Sequence, residues 1–359
     1  MAYTTIDDPS AHFHTQLYTG NGGTQTITND ANAGDFKPDW LWLKNRSGTY
    51  YHVLFDSSRG FGTSKGLYSN VTSAEGNDDT NGCTAVTTDG FTLGNDAGTN
   101  NNTNSLVAWQ WKANGGTTTT NDASATGVGN QDSVHQANTT SGFSIVTWSG
   151  SNGNNTMAHG LGAVPNVIIM KSRSAAEAWG VYHHKNTSAP ETDFLRLDTT
   201  AATSDSPDLM NDTAPTSTVF TVGDSGTANE TGKTYVAYLF AEKQGYSKFG
   251  SYTGNGNADG TFVYLGFRPA WVLRKRTDDA QQWQLYDHKR PGIGNGDMHE
   301  LYVDSNDAEA GSNGIDFLSN GFKVRVSNGG MNTSGANHVY MAFAEHPFVS
   351  SKGVPTTAR

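Results

Sequence analysis

One pattern recurs three times along this chain, and it limits the possible folds more than any feature of composition. Pro38 precedes "DWLWLKNR", Pro165 precedes "NVIIMKSR" and Pro269 precedes "AWVLRKRT", with a lysine at the same distance from each proline: Lys44, Lys171 and Lys275. The spacing from Pro38 to Phe55 returns from Pro165 to Tyr182 and from Pro269 to Tyr286. A phenylalanine follows in each copy, Phe91 in "DGFTLG", Phe220 in "TVFTVG" and Phe322 in "NGFKVR", and a last apolar run ends near Trp111, Phe240 and Phe343. Upstream lies a signature turn, "YTGNGG" from Tyr18, "WSGSNG" from Trp148 and "YTGNGN" from Tyr252. Agreement at so many points identifies an internal triplication.

The copies set the expected organisation: an N-terminal arm at 1–11, unit 1 at 12–114, a connection at 115–139, unit 2 at 140–243, unit 3 at 244–349 and a tail at 350–359. Each unit has the size of a single-core domain. Runs such as "FSIVTW", "NVIIMK", "WGVYHH" and "VFTVG" are short, strand-type and bounded by Gly, Asn and Asp. They predict an all-β chain of three tandem antiparallel β-sandwich domains, jelly-roll or lectin-like, with Gly/Asn/Thr-rich loops. The connection, almost without apolar residues, reads as a flexible or extended linker. It sets unit 1 apart as the anchoring unit, while the short join "EKQGYSKFGS" holds units 2 and 3 in a fixed relation.

"TGKTYVAYLFAE" raises the question of a phosphate loop. The required glycine is missing, since position 227 is Thr, and the run after Lys233 is a buried strand with no amphipathic helical face. Gly232-Lys233 is therefore the turn feeding the last strand of unit 2, and Thr103-Asn104 and Gly335-Ala336 hold the equivalent turns.

With 359 residues, a net charge of −11 and only 16% charged residues, the chain lacks the clustered cations of a nucleic-acid surface. "LRKRT" at 273–277 is the nearest approach, and its alternation reads as a solvated strand face. The one cysteine, Cys83, excludes an intramolecular disulfide framework and CxxC zinc sites. No window is apolar enough for a membrane-spanning helix, so no membrane insertion is expected.

Candidate sites are few. Asn77, Asp79, Asn81 and Gly82 are in phase for a calcium loop, but Thr88 stands where the bidentate Glu belongs. His12 and His14 would share one strand face, a spacing that fits a metal on a threefold axis between subunits or, more simply, solvated positions on an edge strand. His183 and His184 point to opposite faces. Acidic residues sit in turns that Asp and Asn favour, and no HExxH, GxSxG or cysteine-nucleophile pattern occurs. Neither a metal nor a cofactor is expected. Trp179 and Trp283, matched between units 2 and 3, are candidates for stacking on sugar rings or else for the core.

The segments "PDWLWLKNRSG", "YYHVLFDSSRG" and "VAWQWKANGG", with "AVPNVIIMKSRSAAEAWGVYHH" and "GKTYVAYLFAE", resemble the repeated domains of virion structural and tail-fibre-like proteins of tailed phages, marine cyanophages especially. The likeness spans residues 1–349, and the opening "MAYTTIDDPSAHFHTQLYTGNGG" is similar to how those proteins begin. It implies a non-enzymatic virion component, a tail fibre or tail-associated adhesin that contacts other virion proteins and a host surface receptor or glycan, as a homo-oligomer and by analogy a trimer. A capsid decoration or head-fibre protein and a glycan depolymerase are the alternatives. Unit 3 departs from the pattern at Thr277, where units 1 and 2 carry Arg46 and Arg173, which puts a shared role of those arginines in question.

Overall fold

The computed structural model describes residues 3–30, 36–76, 81–290, 298–312, 314–327 and 329–356. Unit 1 contributes β1 (Phe13–Thr19), β2 (Gln25–Thr28), β3 (Trp40–Asn45), β4 (His52–Asp56), β5 (Leu67–Tyr68), β6 (Cys83–Thr87), β7 (Gly90–Leu93), α1 (Ala97–Asn100) and β8 (Ser105–Trp111). There follow β9 (Thr119–Asn121), α2 (Ala123–Thr126), β10 (Ser133–Asn138), β11 (Phe143–Ser149), β12 (Asn155–Ala158), β13 (Val167–Ser172), β14 (Gly180–His183), β15 (Asp193–Arg196), β16 (Ser204–Asp205), β17 (Val219–Val222) and β18 (Thr234–Phe240). Unit 3 supplies β19 (Ser247–Thr253), β20 (Phe262–Tyr264), β21 (Phe267–Arg276), β22 (Gln284–Asp287), β23 (Met298–Tyr302), β24 (Ala310–Ser312), β25 (Ile315–Leu318), β26 (Gly321–Val324) and β27 (Asn337–Pro347).

These strands build antiparallel sheets, and the protein is nearly all-β. Three are large, in the orders β1-β8-β3-β4-β5, β16-β15-β14-β13-β18-β11-β10-β9 and β19-β27-β21-β22-β23-β24. Three are small: β2-β7-β6, β12-β17 and β20-β26-β25. Register repeats with the sequence, since Trp40 faces Trp111, Val167 faces Phe240 and Trp271 faces Phe343.

Strand periodicity shows how the sheets pack. In β3, Leu41 and Leu43 turn towards the small sheet and join a local core with Phe55 and Phe91, while Trp40 and Trp42 turn the other way. In β13, Ile168 and Met170 join a second local core with Tyr182 and Phe220, and Val167 and Ile169 turn away. Val272 of β21 joins a third with Tyr286 and Phe322, and Trp271 and Leu273 turn away. The faces turned away meet in one core drawn from all three units, including Trp40, Trp111, Tyr238, Phe240, Trp271 and Phe343. Trp40 stacks on Tyr238 at 4.4 Å, Trp111 meets Trp271 edge-on at 5.6 Å, and Phe240 meets Phe343 at 5.8 Å. Each large aromatic removes roughly 150–250 Å² from water, on the order of 4–6 kcal/mol per ring before conformational entropy. Burial on both faces explains why these strands read as unbroken apolar runs.

Two expectations are corrected. The segment 115–139, read as a flexible linker, is ordered: β9 and β10 extend the second large sheet, with Gln136 opposite Ile145, and Asp122 caps α2. Gln136 of β10 bonds Ser57 and Ser58 of unit 1 while Ala137 packs on the local core of unit 2, and so mixed a strand leaves little apolar trace in the sequence. "LRKRT" is not a solvated face either. Arg274 and Lys275 are fully buried, with Arg274 donating to Gln284 Oε1 and lying 5.9 Å from the Tyr252 ring.

The signature turns share a device that the sequence reading did not isolate. Asn100, Asn229 and Asn332 are fully buried, and each side chain accepts from a turn N–H, of Asn21, Ser151 and Asn255. Their amides donate back to turn oxygens at Gly23, Gly153 and Asn257. Backbone passes so close that a Cβ on Gly20, Gly150 or Gly254 would fall 2.1, 2.1 or 2.2 Å from a carbonyl oxygen. The turn at Gly232-Lys233 and its equivalents are alike in conformation: Thr103, Gly232 and Gly335 all have positive φ, of 65°, 84° and 79°.

Candidate functional site

A lysine in the middle of a buried apolar strand, three times over, needs a partner for its ammonium. Each finds one in its own unit, at Tyr50 O, Ser172 O and Arg276 O, and another in the next. Lys44 Nζ donates to Asn306 O at 3.2 Å, Lys171 Nζ to Thr72 O at 3.1 Å and Lys275 Nζ to Thr200 O at 3.1 Å. All three are fully buried, and burial lowers their pKa values, to about 7, about 8 and about 8.

The same cyclic order governs the neighbouring contacts, which define three seams: unit 2 onto unit 1, unit 1 onto unit 3, and unit 3 onto unit 2. Trp179 Nε1 donates to Tyr68 O at 2.7 Å, and Trp283 Nε1 to Arg196 O at 2.8 Å. His52 holds the same place in unit 1. Trp42 Nε1 donates to its Nδ1, which leaves Nε2–H to donate to Tyr302 O at 3.1 Å. Burial keeps this imidazole neutral. Trp179 and Trp283 are therefore seam clamps, 0% and 2% exposed, with no open ring face for a sugar.

Around the clamps two seams carry arginine–carboxylate pairs and the third does not. Arg173 Nε donates to Glu75 at 2.6 Å, and Arg46 holds Glu309 through Nε and Nη2 at 2.8 and 2.7 Å. Buried Arg59 and Arg290 add cations bound to Asp56 and Asp287, and those aspartates accept from Tyr238 Oη and Trp109 Nε1 across the seams. At the third seam Thr277 and Thr203 replace the arginine and glutamate and keep only the backbone bond, Thr203 N to Thr277 O at 2.9 Å. Met341 replaces the ring donor, His183 the aspartate and Asn186 the buried arginine. His183 Nε2 turns to Tyr340 O at 3.1 Å, and Thr203 Oγ1 donates to Asn186. Arg46 and Arg173 thus share one role, and unit 3 lacks it together with its partner.

One seam carries a cleft of about 620 Å³, between β1 of unit 1 and the β21, β22 and β27 region of unit 3. Phe13, His14 and Thr15 form one wall, and Arg268, His288, Lys289, Glu345 and His346 the other. Its charges are paired: Lys289 Nζ lies 2.8 Å from Asp30 Oδ2, and Arg268 Nε 2.7 Å from Glu345 Oε2. Burial lowers the pKa values of His14 and His288, so both are neutral at pH 7. Such a site suits recognition of a polar group by hydrogen bonds.

The remaining candidates fall out as follows. His14 is buried in this cleft, 3.3 Å from Gln16 Oε1, and does not occupy a solvated edge position. His12 packs edge-on against Tyr246. His184 Nε2 contacts Phe249 O at 2.6 Å, across the third seam. Of the proposed calcium loop, Asn77 and Asp79 lie outside the described residues. Among the described residues no group of three His, Cys, Asp or Glu is placed to hold a metal, and no helix is long and apolar enough to cross a membrane. Pro38 and Pro165 are buried just before β3 and β13, Pro269 is buried within β21 at a register shift, and Phe91, Phe220 and Phe322 are fully buried in the local cores.

The comparison with protein families gives one result. Residues 8–347 match the domain of unknown function DUF7483, and the chain belongs to that family. No match was found among curated proteins or solved structures.

Proposed function

We propose that this DUF7483 chain is a non-enzymatic structural protein of a phage particle, a tail fibre or tail-associated adhesin, in which three β-sandwich units form a trimer-like body within one polypeptide. The observation that carries the reading is the ring of three seams closed around one aromatic core. Such a body is rigid, presents many polar loops, and matches in symmetry the threefold parts of fibres. The sequence likeness to virion proteins supports a place in the particle. A polar groove of about 710 Å³ on unit 2, lined by Asn130, Gln131, Asp132, Ser149, Ser151 and Arg173, is the better candidate for a host glycan, since carboxamides and hydroxyls can bond sugar hydroxyls. With Trp179 and Trp283 buried, the stacking mode is withdrawn.

Gold-labelled antibody against the protein, imaged on intact particles, tests the reading. Label at the tail supports the adhesin. Label over the head supports the second reading, capsid decoration, which the same symmetry favours because a shell also offers threefold positions. Particles without label overturn the virion assignment.

A further inference from the structure

Stacking, closed to Trp179 and Trp283, is open to two other rings. Ile27, Met157 and Val263 hold one position in the three small sheets, each opposite Phe91, Phe220 or Phe322 of a local core. By strand alternation the residues on either side turn away from that core. They are Thr26 and Thr28 in unit 1, Thr156 and Ala158 in unit 2, and Phe262 and Tyr264 in unit 3. The fold therefore needs only small side chains there, yet unit 3 sets two aromatic rings into solvent, 44% and 49% exposed, on positions roughly 7 Å apart along β20. Their neighbours leave them bare. Opposite Tyr264 stands Gly321, which has no side chain to cover the ring, and opposite Phe262 stands Lys323, whose ammonium is drawn aside to Asp259. The Tyr264 ring is also held in place. Lys248 donates to Tyr264 O at 2.8 Å and lies 5.4 Å from the ring centre, and the phenol hydroxyl meets that of Tyr3, which donates to Gly266 O at 2.7 Å. A ring fixed beforehand loses little freedom when a ligand arrives.

We propose that Phe262 and Tyr264 form a platform for a neutral oligosaccharide, with two consecutive pyranose rings laid C–H face down on the two aromatic rings. An aromatic face is electronegative and attracts the polarised C–H bonds of a sugar. Three observations choose this occupant. The rings together expose roughly 200 Å², about a quarter of what each partner gives to a stable protein interface, so a second copy or a globular partner finds too little here to bury. Lys248 caps Tyr264 O on the open edge of β20, which blocks the addition of a peptide strand. Both lysines are committed, Lys323 to Asp259 and Lys248 to that carbonyl, in a chain of net charge −11, so neither is left for a sulfate, a sugar carboxylate or an anionic membrane. The inference rests on the glycan contact proposed above and adds a second site to it, on unit 3.

The test uses the full chain and cellotetraose, whose sugars hold their substituents equatorially and show axial C–H bonds on both faces, read by saturation-transfer NMR. Saturable binding is expected at about 1–10 mM, with transfer strongest to the axial ring protons and weakest to the exocyclic methylene. Phe262→Thr combined with Tyr264→Thr copies Thr26 and Thr28 of unit 1, so the fold should survive, with unchanged far-UV circular dichroism, while binding weakens about tenfold or more. Tyr264→Phe keeps the ring and should bind within about threefold of the parent. No saturation below about 20 mM would overturn the platform, and the virion reading would still be judged on the antibody label. Equal binding by the double threonine variant would also overturn it, and would pass the glycan contact to the groove of unit 2. A dimer in sedimentation that the double variant abolishes would assign the rings to a second copy instead.

Discussion

The seams of unit 2 onto unit 1 and of unit 3 onto unit 2 do the same work with opposite chemistry. Both keep the clamp tryptophan, the buried lysine and the unit-to-unit backbone bond. The first surrounds them with Arg173, Glu75, Arg59, Asp56 and a tyrosine hydroxyl, and the second with two threonines, an asparagine, a histidine and a methionine. Every member of the network changed, and none was left charged opposite a neutral partner. The comparison teaches that the charges are conditional on each other: taking two ions out of water is costly, and losing one partner costs more than losing both.

The sharpest way to break the comparison is to strand one charge. Asp56→Ala should cost about 3–5 kcal/mol in denaturant unfolding by removing the main carboxylate of buried Arg59, which is left with Glu75 alone at 3.5 Å. His183→Ala at the equivalent position should cost about 1–2 kcal/mol, because it loses a neutral hydrogen bond. Equal losses would refute the distinction. Glu75→Thr and Arg173→Thr should each destabilise, and combining them should recover about 1–3 kcal/mol relative to the sum, since the pair then resembles Thr203 and Thr277 at the third seam.

pH separates the seams on the acid side and not on the alkaline side. Against the burial that raises it, Arg46, Arg290 and His299 bring the Glu309 pKa to about 2. Its contribution is thus complete above its unfolded value, roughly 4.3, and is lost as pH falls from there towards 2. Glu309→Gln should flatten stability across that window. The seam lysines are depressed in all three places, so the unfolded chain holds their protons more tightly and stability rises between pH 7–8 and about 10.4. Lys275→Met should flatten that rise as much as Lys171→Met does. The smallest effect belongs to Arg276, whose pairs with Asp278 and Asp279 lie at the surface: Arg276→Ala should change stability by about 0.5 kcal/mol or less.

Much of this was legible in the sequence. The triplication, the strand class and the position of every seam lysine come from spacing alone, and a lysine repeated inside an apolar strand already signals a buried acceptor. The partners were hidden because they sit on other units: Glu75 is 98 residues from Arg173 and Glu309 is 263 from Arg46. Trp179 and Trp283 matched between copies, but His52 in the third broke the visible pattern although it donates the same hydrogen bond. The buried Asn100, Asn229 and Asn332 were lost among abundant asparagines. Their signal is position: each lies three residues before the positive-φ residue that ends its turn.

The shared core also fixes copy number. An open array of repeats grows or shrinks by recombination, because each end displays the face that the next copy would cover. Here unit 1 already covers unit 3, so a duplicated fourth copy finds no vacant face and a deletion uncovers two. The closed ring therefore accepts a seam of different chemistry, as the third one shows, but leaves no face for a fourth unit.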